Sequence, residues 1–253
     1  MKHLVLIGSL VQAIFLSSYQ AKAQTAFDSL VFMTEQYPPY NFEEKGQIQG
    51  IAVDILGEIM KKLGSKKTIN DIQMLPWSRA YKDLQTVPNT CLFSIARNNE
   101  REKLFKWVGP IVDVKQVLLA KKSKKIKIAG VTDMNKLQIG VIKDDIMDQT
   151  IRKLGVKEDS IQRTSTTKAN ISKLVLDRID ALAYGDLGAL WELKASGYDT
   201  TQFETIHTFE KVTVYYGMHK DTSPEVIEKM QKAIDELKAE GKISAIVKKY
   251  TGS

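Results

Sequence analysis

A single cysteine, Cys91, stands in a chain of 253 residues, so an internal disulfide is excluded. A chain of this size buries enough apolar surface not to need one. Cys91 sits in the apolar run TCLFSIA and reads as a small buried hydrophobe. The histidines are only three, His3, His207 and His219, scattered and without acidic companions at ligand spacing. Neither a metal site nor a cofactor is therefore expected. No dense Lys/Arg run carries interleaved aromatics, which argues against nucleic acid as a partner. The strongest basic run, KKSKKIK at 121–127, lies between apolar segments and reads as a solvated connection. Neither a nucleophile elbow nor a phosphate-binding loop is present.

Long apolar runs are also missing. The one at 4–16 falls short of the ~20 residues of a membrane span. It follows a short basic head, Lys2 and His3, and precedes Ala21-Lys22-Ala23, an arrangement of a secretory signal peptide cut after Ala23. Without an L-x-x-C sequence, an N-terminal lipid anchor is not expected. Removing Lys2 and Lys22 with that peptide lowers the formal charge from +7 to +5. Such a mild basic balance specifies no partner. The remaining chain of about 230 residues suits one large domain or two smaller ones.

What is present alternates. Residues 29–34, 72–75 and 90–96 read as strands, and 51–63 and 78–85 as helices. The rhythm restarts with strands at 114–120 and 136–142, a helix at 146–154, a helical stretch at 167–177, a strand at 181–184 and a helix at 187–194. The segment VTVYYGM at 212–218 alternates as a strand. Ser223 then caps a helix with Pro224 at its first position, Gly241 ends it, and a last short helix follows. β-α-β-α-β order argues for mainly parallel sheets covered by helices. The second unit reads as an insertion into the first, so two strands would join two lobes as a hinge. The lobes expected are 24–115 with 214–253, and 116–213. Ligands favour clefts between such units.

Four segments carry a resemblance: TEQYPPYNFEEKGQIQGIAVDILGEIMKKLG, SIARNNEREKLFKWVGPIVDVKQVLLAKK, MNKLQIGVIKDD, and VTVYYGMHKDTSPEVIEKMQKAIDELKAEGKISAIVKKYTG. Together they resemble the family 3 extracellular solute-binding proteins, periplasmic receptors of polar amino acid importers. The resemblance implies a type II periplasmic-binding fold, an α/β architecture whose two lobes close on a small zwitterion. It also implies an ABC permease in the inner membrane as partner, a periplasmic location and a monomer.

For the site, the resemblance points to Arg101 as the holder of a ligand carboxylate. A guanidinium offers a planar fork for that purpose. With Asn98 as helix cap, Arg101 would lie in a first turn, where a bound anion offsets the unfavourable dipole. The alternative is that Glu100 and Glu102 simply neutralise it. Arg97 could meet a second carboxylate or pair with a neighbouring acid. Ser94 would face the cleft if its strand alternates, or else the core. Tyr37 and Tyr40, in a proline-stiffened loop, and Trp77 are the aromatic candidates for stacking on the ligand, with core packing as the alternative. In the second lobe the family's Gly-Thr-Thr-like turn is replaced by Lys143-Asp144-Asp145, where Asp145 would face a cationic ligand group or leave only backbone amides to bind. Asp186 is the nearest match to the family's ammonium-binding acid, one residue late. These departures leave the identity of the solute open. An enzyme on the same scaffold, resembling cyclohexadienyl dehydratases with Glu35 as proton-transfer group, and a ligand-sensing receptor without import are the competing readings.

Overall fold

The structure is a computed structural model that describes residues 26–251. The expected signal peptide lies outside those residues. Two five-stranded sheets organise the chain. The first runs in the order β4 (Gln73–Met74), β1 (Val31–Thr34), β5 (Thr90–Ala96), β12 (Val212–His219), β6 (Phe105–Val114). The second runs β11 (Phe203–Thr208), β7 (Gln116–Lys121), β10 (Ala181–Gly185), β8 (Ile139–Ile142), β9 (Ile161–Thr164). A small hairpin joins β2 (Phe42–Glu44) to β3 (Gln47–Gln49).

Both sheets follow one plan. β1 lies parallel between β4 and β5, and β8 lies parallel between β9 and β10. The remaining pairings, β12 with β5 and β6, and β7 with β10 and β11, are antiparallel. The sheets are thus mixed rather than mainly parallel. The reason is the connectivity: the strand by which the chain enters each sheet from the other, β7 or β12, runs against the rest of that sheet. The single strand expected at 114–120 breaks at Lys115, where the chain leaves the first sheet for the second. It returns between Thr208 and Val212. β9 and β11 went unread because both are edge strands, polar and half-exposed over much of their length, without the apolar run of a central strand.

Helices cover the sheets. Helix α1 (Ile51–Lys62) buries Ile51, Ile55, Leu56 and Ile59 at helical spacing against the first sheet. Tyr216 of β12 is buried beneath it and donates its hydroxyl to the Ala52 carbonyl at 2.7 Å. Of the next helices, α2 (Trp77–Thr86) follows β4, α3 (Val131–Met134) precedes β8, and α4 (Ile146–Lys153) follows β8. α5 (Thr167–Val175) follows β9 and α6 (Asp186–Ala195) starts directly from β10. The C-terminal pair, α7 (Pro224–Ala239) and α8 (Lys242–Thr251), returns to the first sheet, and the Ser223 cap expected from sequence accepts the Val226 amide. Among the described residues no helix is long and apolar enough to cross a membrane.

One glycine holds the aromatic loop in place. Gly50 precedes α1 with φ +129°, a region that suits glycine alone, and an added Cβ would lie 2.5 Å from the Tyr40 carbonyl oxygen. The next two amides, of Ile51 and Ala52, donate to the carbonyls of Pro39 and Tyr40. The start of α1 therefore fixes the loop that carries Tyr37 and Tyr40. Gly50→Ala is expected to cost at least ~2 kcal/mol, read as a lowered urea midpoint, because strain and a backbone clash coincide.

Candidate functional site

The carboxyl ends of the parallel strands of both sheets meet, and their loops carry the polar residues of a cleft. β1 leads into Glu35 and Tyr37, β4 into Trp77, β5 into Arg101, β8 into Asp145, and β10 ends at Tyr184 and Gly185.

Arg101 stands at the centre. It is only 1% exposed, yet within the described residues it has no carboxylate within ion-pair distance. One guanidinium nitrogen donates to the Ala96 carbonyl of its own sheet, the other to the Asp144 carbonyl of the opposite sheet, both at 3.2 Å. Its Nε has no acceptor. The planar group lies over Trp77 and Tyr81, at 5.5 and 5.0 Å from their ring centres. The expected helix around it does not form. Residues 99–104 make turns, and the chain enters β6 at Phe105 too soon for a helix. Asn98 nevertheless caps as its residue type suggests, its Oδ1 accepting the Arg101 amide at 2.9 Å.

The opposite wall is the turn 143–145. Asp144 adopts φ +62°, and its amide is held by Asp148, a buried carboxylate that Arg163 and Arg152 neutralise. This geometry presents the Asp144 carbonyl to the first sheet, where the Trp77 indole nitrogen also donates to it at 3.0 Å. Asp145 stands before α4, whose first amides and the Arg101 charge draw its pKa down, while burial outweighs them and raises it. Glu35, 9% exposed, is pushed well above the usual carboxylate range by burial and by the nearby Asp145 charge, with Arg101 opposing. Neither acid has a cationic partner within ion-pair distance among the described residues.

Aromatic rings close the space. Tyr37 packs on Tyr40 at 4.8 Å and, across the cleft, on Tyr184 at 5.0 Å between ring centres. Gly185 and Gly188 give the Tyr37 ring its room: a Cβ on Gly185 would meet its hydroxyl, and one on Gly188 its ring edge. Burial pushes the phenols of Tyr37 and Tyr184 well above their ordinary range. The outer contact is Phe42 on Trp191, at 5.3 Å.

Several buried polar atoms in this region make no well-aligned hydrogen bond, Arg101 Nε, Ser94 Oγ, Thr167 Oγ1, Tyr184 Oη and Gln116 Oε1, although Thr167 lies beside Tyr184 and Gln116 beside Tyr37. Buried polar groups are normally satisfied, so a cluster of such atoms marks a place built for another molecule. Ser94 reaches this state by an unexpected route. It is the extra residue of a bulge in β5, since Ile95 pairs with Tyr215 and Phe93 with Tyr216, and its φ is +61°. Simple strand alternation therefore does not set its direction; the bulge does.

Of the eight residues expected from sequence, Arg101, Tyr37, Tyr40, Trp77 and Asp145 are brought together, with Ser94 behind them. Two have other partners. Arg97 makes a bidentate pair with Glu102, both bonds at 2.7 Å, and its guanidinium lies over Trp107 and Tyr215. Asp186 turns its Oδ1 to the Leu187 amide of its own helix at 2.7 Å, though its charge reaches Tyr40. Tyr81, Tyr184, Thr167 and Gln116 escaped notice in the sequence. Tyr184 and Tyr81 had the available signal of an aromatic near the end of an apolar strand and on the helix after Pro76; Thr167 and Gln116 had none.

The sequence profile of the bacterial extracellular solute-binding proteins, family 3, matches residues 30–253. The chain belongs to this family. Among similar proteins is the probable amino-acid-binding protein YxeM of Bacillus subtilis (strain 168), 22% identical over 219 residues that span 86% of this chain and 81% of that one. The L-cystine-binding protein TcyA of the same strain is 22% identical over 223 residues, 85% of this chain and 78% of TcyA. Among solved structures, a substrate-binding protein of an ABC uptake transporter from Streptococcus pneumoniae, with bound histidine, superposes with a TM-score of 0.77 at 20% identity, covering 94% of this chain and 96% of that one. The arginine-, lysine-, histidine-binding protein ArtJ of Geobacillus stearothermophilus gives 0.75 at 24% identity, covering 88% and 96%. These likenesses share the type II periplasmic-binding fold. The curated relatives bear the names of amino-acid-binding proteins, not of enzymes. Glu35, expected only as the proton-transfer group of an enzymatic alternative, is a wall of a binding protein's cleft.

Proposed function

We propose that the chain is a periplasmic substrate-binding protein that captures a small polar solute, an amino acid, between two closing lobes and delivers it, as a monomer, to an ABC permease in the inner membrane. The observation that carries the reading is Arg101: a buried guanidinium, shared between the two halves, with one nitrogen still unsatisfied. A ligand carboxylate is the natural partner for such a group. Sheet membership supports lobes of 24–115 with 214–253, and 116–213, with the boundary on return nearer Val212, where β12 begins. The two connections at Lys115 and 209–211 are then the hinge, and closure is a population shift stabilised by contacts from both lobes.

Isothermal titration of the purified protein against the common amino acids tests capture. Binding with a Kd of about 10 μM or tighter, ΔG near −7 kcal/mol, is expected for at least one of them. Heat-free titrations across the whole panel, together with no amino acid released from freshly purified protein in mass spectrometry, would reject it. Uptake of the bound solute by membrane vesicles containing the cognate permease tests delivery.

A further inference from the structure

Asp148 is a buried acid that solute capture does not by itself explain. It lies in the first turn of α4, 1% exposed, and two arginines reach it from partly exposed positions. Arg163 of β9 donates from Nε to both carboxylate oxygens, at 3.0 and 3.1 Å, and a second guanidinium nitrogen lies 2.9 Å from Oδ1. Arg152 Nε lies 3.2 Å from the same Oδ1. A buried carboxylate needs such partners, and they hold it in one place.

The bond that Asp148 makes in return is specific. Its Oδ2 accepts the Asp144 amide at 3.1 Å. A capping box would take the amide of the residue directly before the helix, Asp145. That amide bonds the Ile142 carbonyl instead, at 3.1 Å, and the Lys143 amide bonds the Thr164 carbonyl at 2.9 Å. All three amides of the turn thus find acceptors within the second half, while the Asp144 carbonyl, on a residue at φ +62°, reaches across to the first.

That one oxygen receives Trp77 at 3.0 Å and Arg101 at 3.2 Å from the first half, and Gln149 of α4 at 3.4 Å from its own. A carbonyl oxygen has two lone pairs, so the two donors from the first half already fill it. By contrast, the ion pair that joins the halves at the surface, Lys153 with Glu100 at 4.0 Å, is exposed on both sides and weak.

We propose that Asp148 is a positioning residue for closure: through the Asp144 amide it aims the Asp144 carbonyl as the latch on which Arg101 and Trp77 fasten the two halves. The proposal rests on the halves being the closing lobes of the reading above. The second half then enters the latch with a backbone oxygen, and the closed population is supported by bonds within the protein to which a solute adds its own.

Spin labels at Gln85→Cys and Lys168→Cys, exposed positions in the two halves, report their separation by pulsed electron resonance, with the buried Cys91 left unlabelled. Protein stripped of solute by unfolding and refolding is expected to show a short-distance population. Asp148→Ala should lower the ratio of short to long distances at least about tenfold, the effect of losing a charge-assisted bond. Asp148→Asn, which keeps an acceptor for the Asp144 amide, should retain more of the short population than Asp148→Ala. Glu158→Gln removes only the exposed partner of Arg163 and should leave the ratio unchanged. A merely structural network would lower the urea midpoint of the Asp148 variants without moving the distances. A wild-type ratio in folded Asp148→Ala, equal losses in Asp148→Asn and Asp148→Ala, or wild-type protein without short distances overturns the proposal. If Asp148→Ala does not fold, Trp77→Phe decides: it removes one donor to the Asp144 carbonyl and should lower the ratio at least about threefold, and an unchanged ratio overturns the latch. Short distances that grow on adding an amino acid, with the Asp148 variants behaving as wild type, overturn this proposal and keep the capture reading. One invariant distance in every variant and with every amino acid overturns both.

Discussion

Arg101→Ala is expected to weaken ligand binding by about two to five kcal/mol, roughly thirtyfold to several thousandfold, the range for truncating one member of a buried charged pair. The arginine has three tasks at once. It binds the Ala96 carbonyl and so ties the 97–104 turn to the end of β5. It binds the Asp144 carbonyl across the cleft. Its Nε remains free for a ligand. Arg101→Lys separates these roles, because a lysine keeps the charge but has no fork. It should retain the urea midpoint better than Arg101→Ala while losing most of the affinity. Wild-type affinity in Arg101→Lys, measured by calorimetry, would mean that charge alone suffices and that no bidentate contact is made.

The second large effect is on pH dependence. Burial raises the carboxyl groups of both Glu35 and Asp145, so the folded protein holds their protons at pH values where the unfolded chain has released them. Folding is then favoured at low pH, and that advantage is lost as pH rises from the ordinary carboxylate range, near 4, toward the raised values. Within this window each such group contributes a slope of up to ~1.4 kcal/mol per pH unit. Ligand-free wild-type protein should therefore lose thermal stability as the pH rises above the ordinary carboxylate range, and Glu35→Gln should flatten that decline. Arg101 opposes both shifts, and the tyrosines Tyr37 and Tyr184 stay neutral throughout. Parallel Tm profiles for wild type and Glu35→Gln would show that Glu35 is not the group responsible.

The sequence made the two α/β units and their helix ends legible because they obey local rules. Ser223 before Pro224 and the 51–63 stripe needed no tertiary context. Arg101 was readable from its motif, and Tyr37 and Tyr40 from a loop stiffened by prolines. The rest depended on partners far away in the chain. Nothing in SIA tells that Ser94 occupies a bulge; the register with β12, more than a hundred residues later, decides it. Arg97 and Arg101 look alike on paper, yet Glu102 and two rings claim the first while the second faces the cleft. The helix expected around Arg101 failed because β6 must begin at Phe105 to pair with His219. Asp145 was recognised as a departure from the family's turn, but its meaning emerges only when Glu35 lies opposite.

The indole of Trp77 gives the molecule a built-in optical reporter. It is 2% exposed, stacked on Tyr81 and bonded to a carbonyl of the opposite sheet. Separation of the halves, as proposed, would break that bond, let water reach the ring and part Trp191 from Phe42. Trp107, whose indole nitrogen donates to the Glu102 carbonyl and whose ring meets Arg97, Phe105 and Tyr215, has these contacts on the side of the first sheet and would keep them. Two of the three tryptophans are thus expected to shift their emission with the state of the cleft, while the third supplies a constant background.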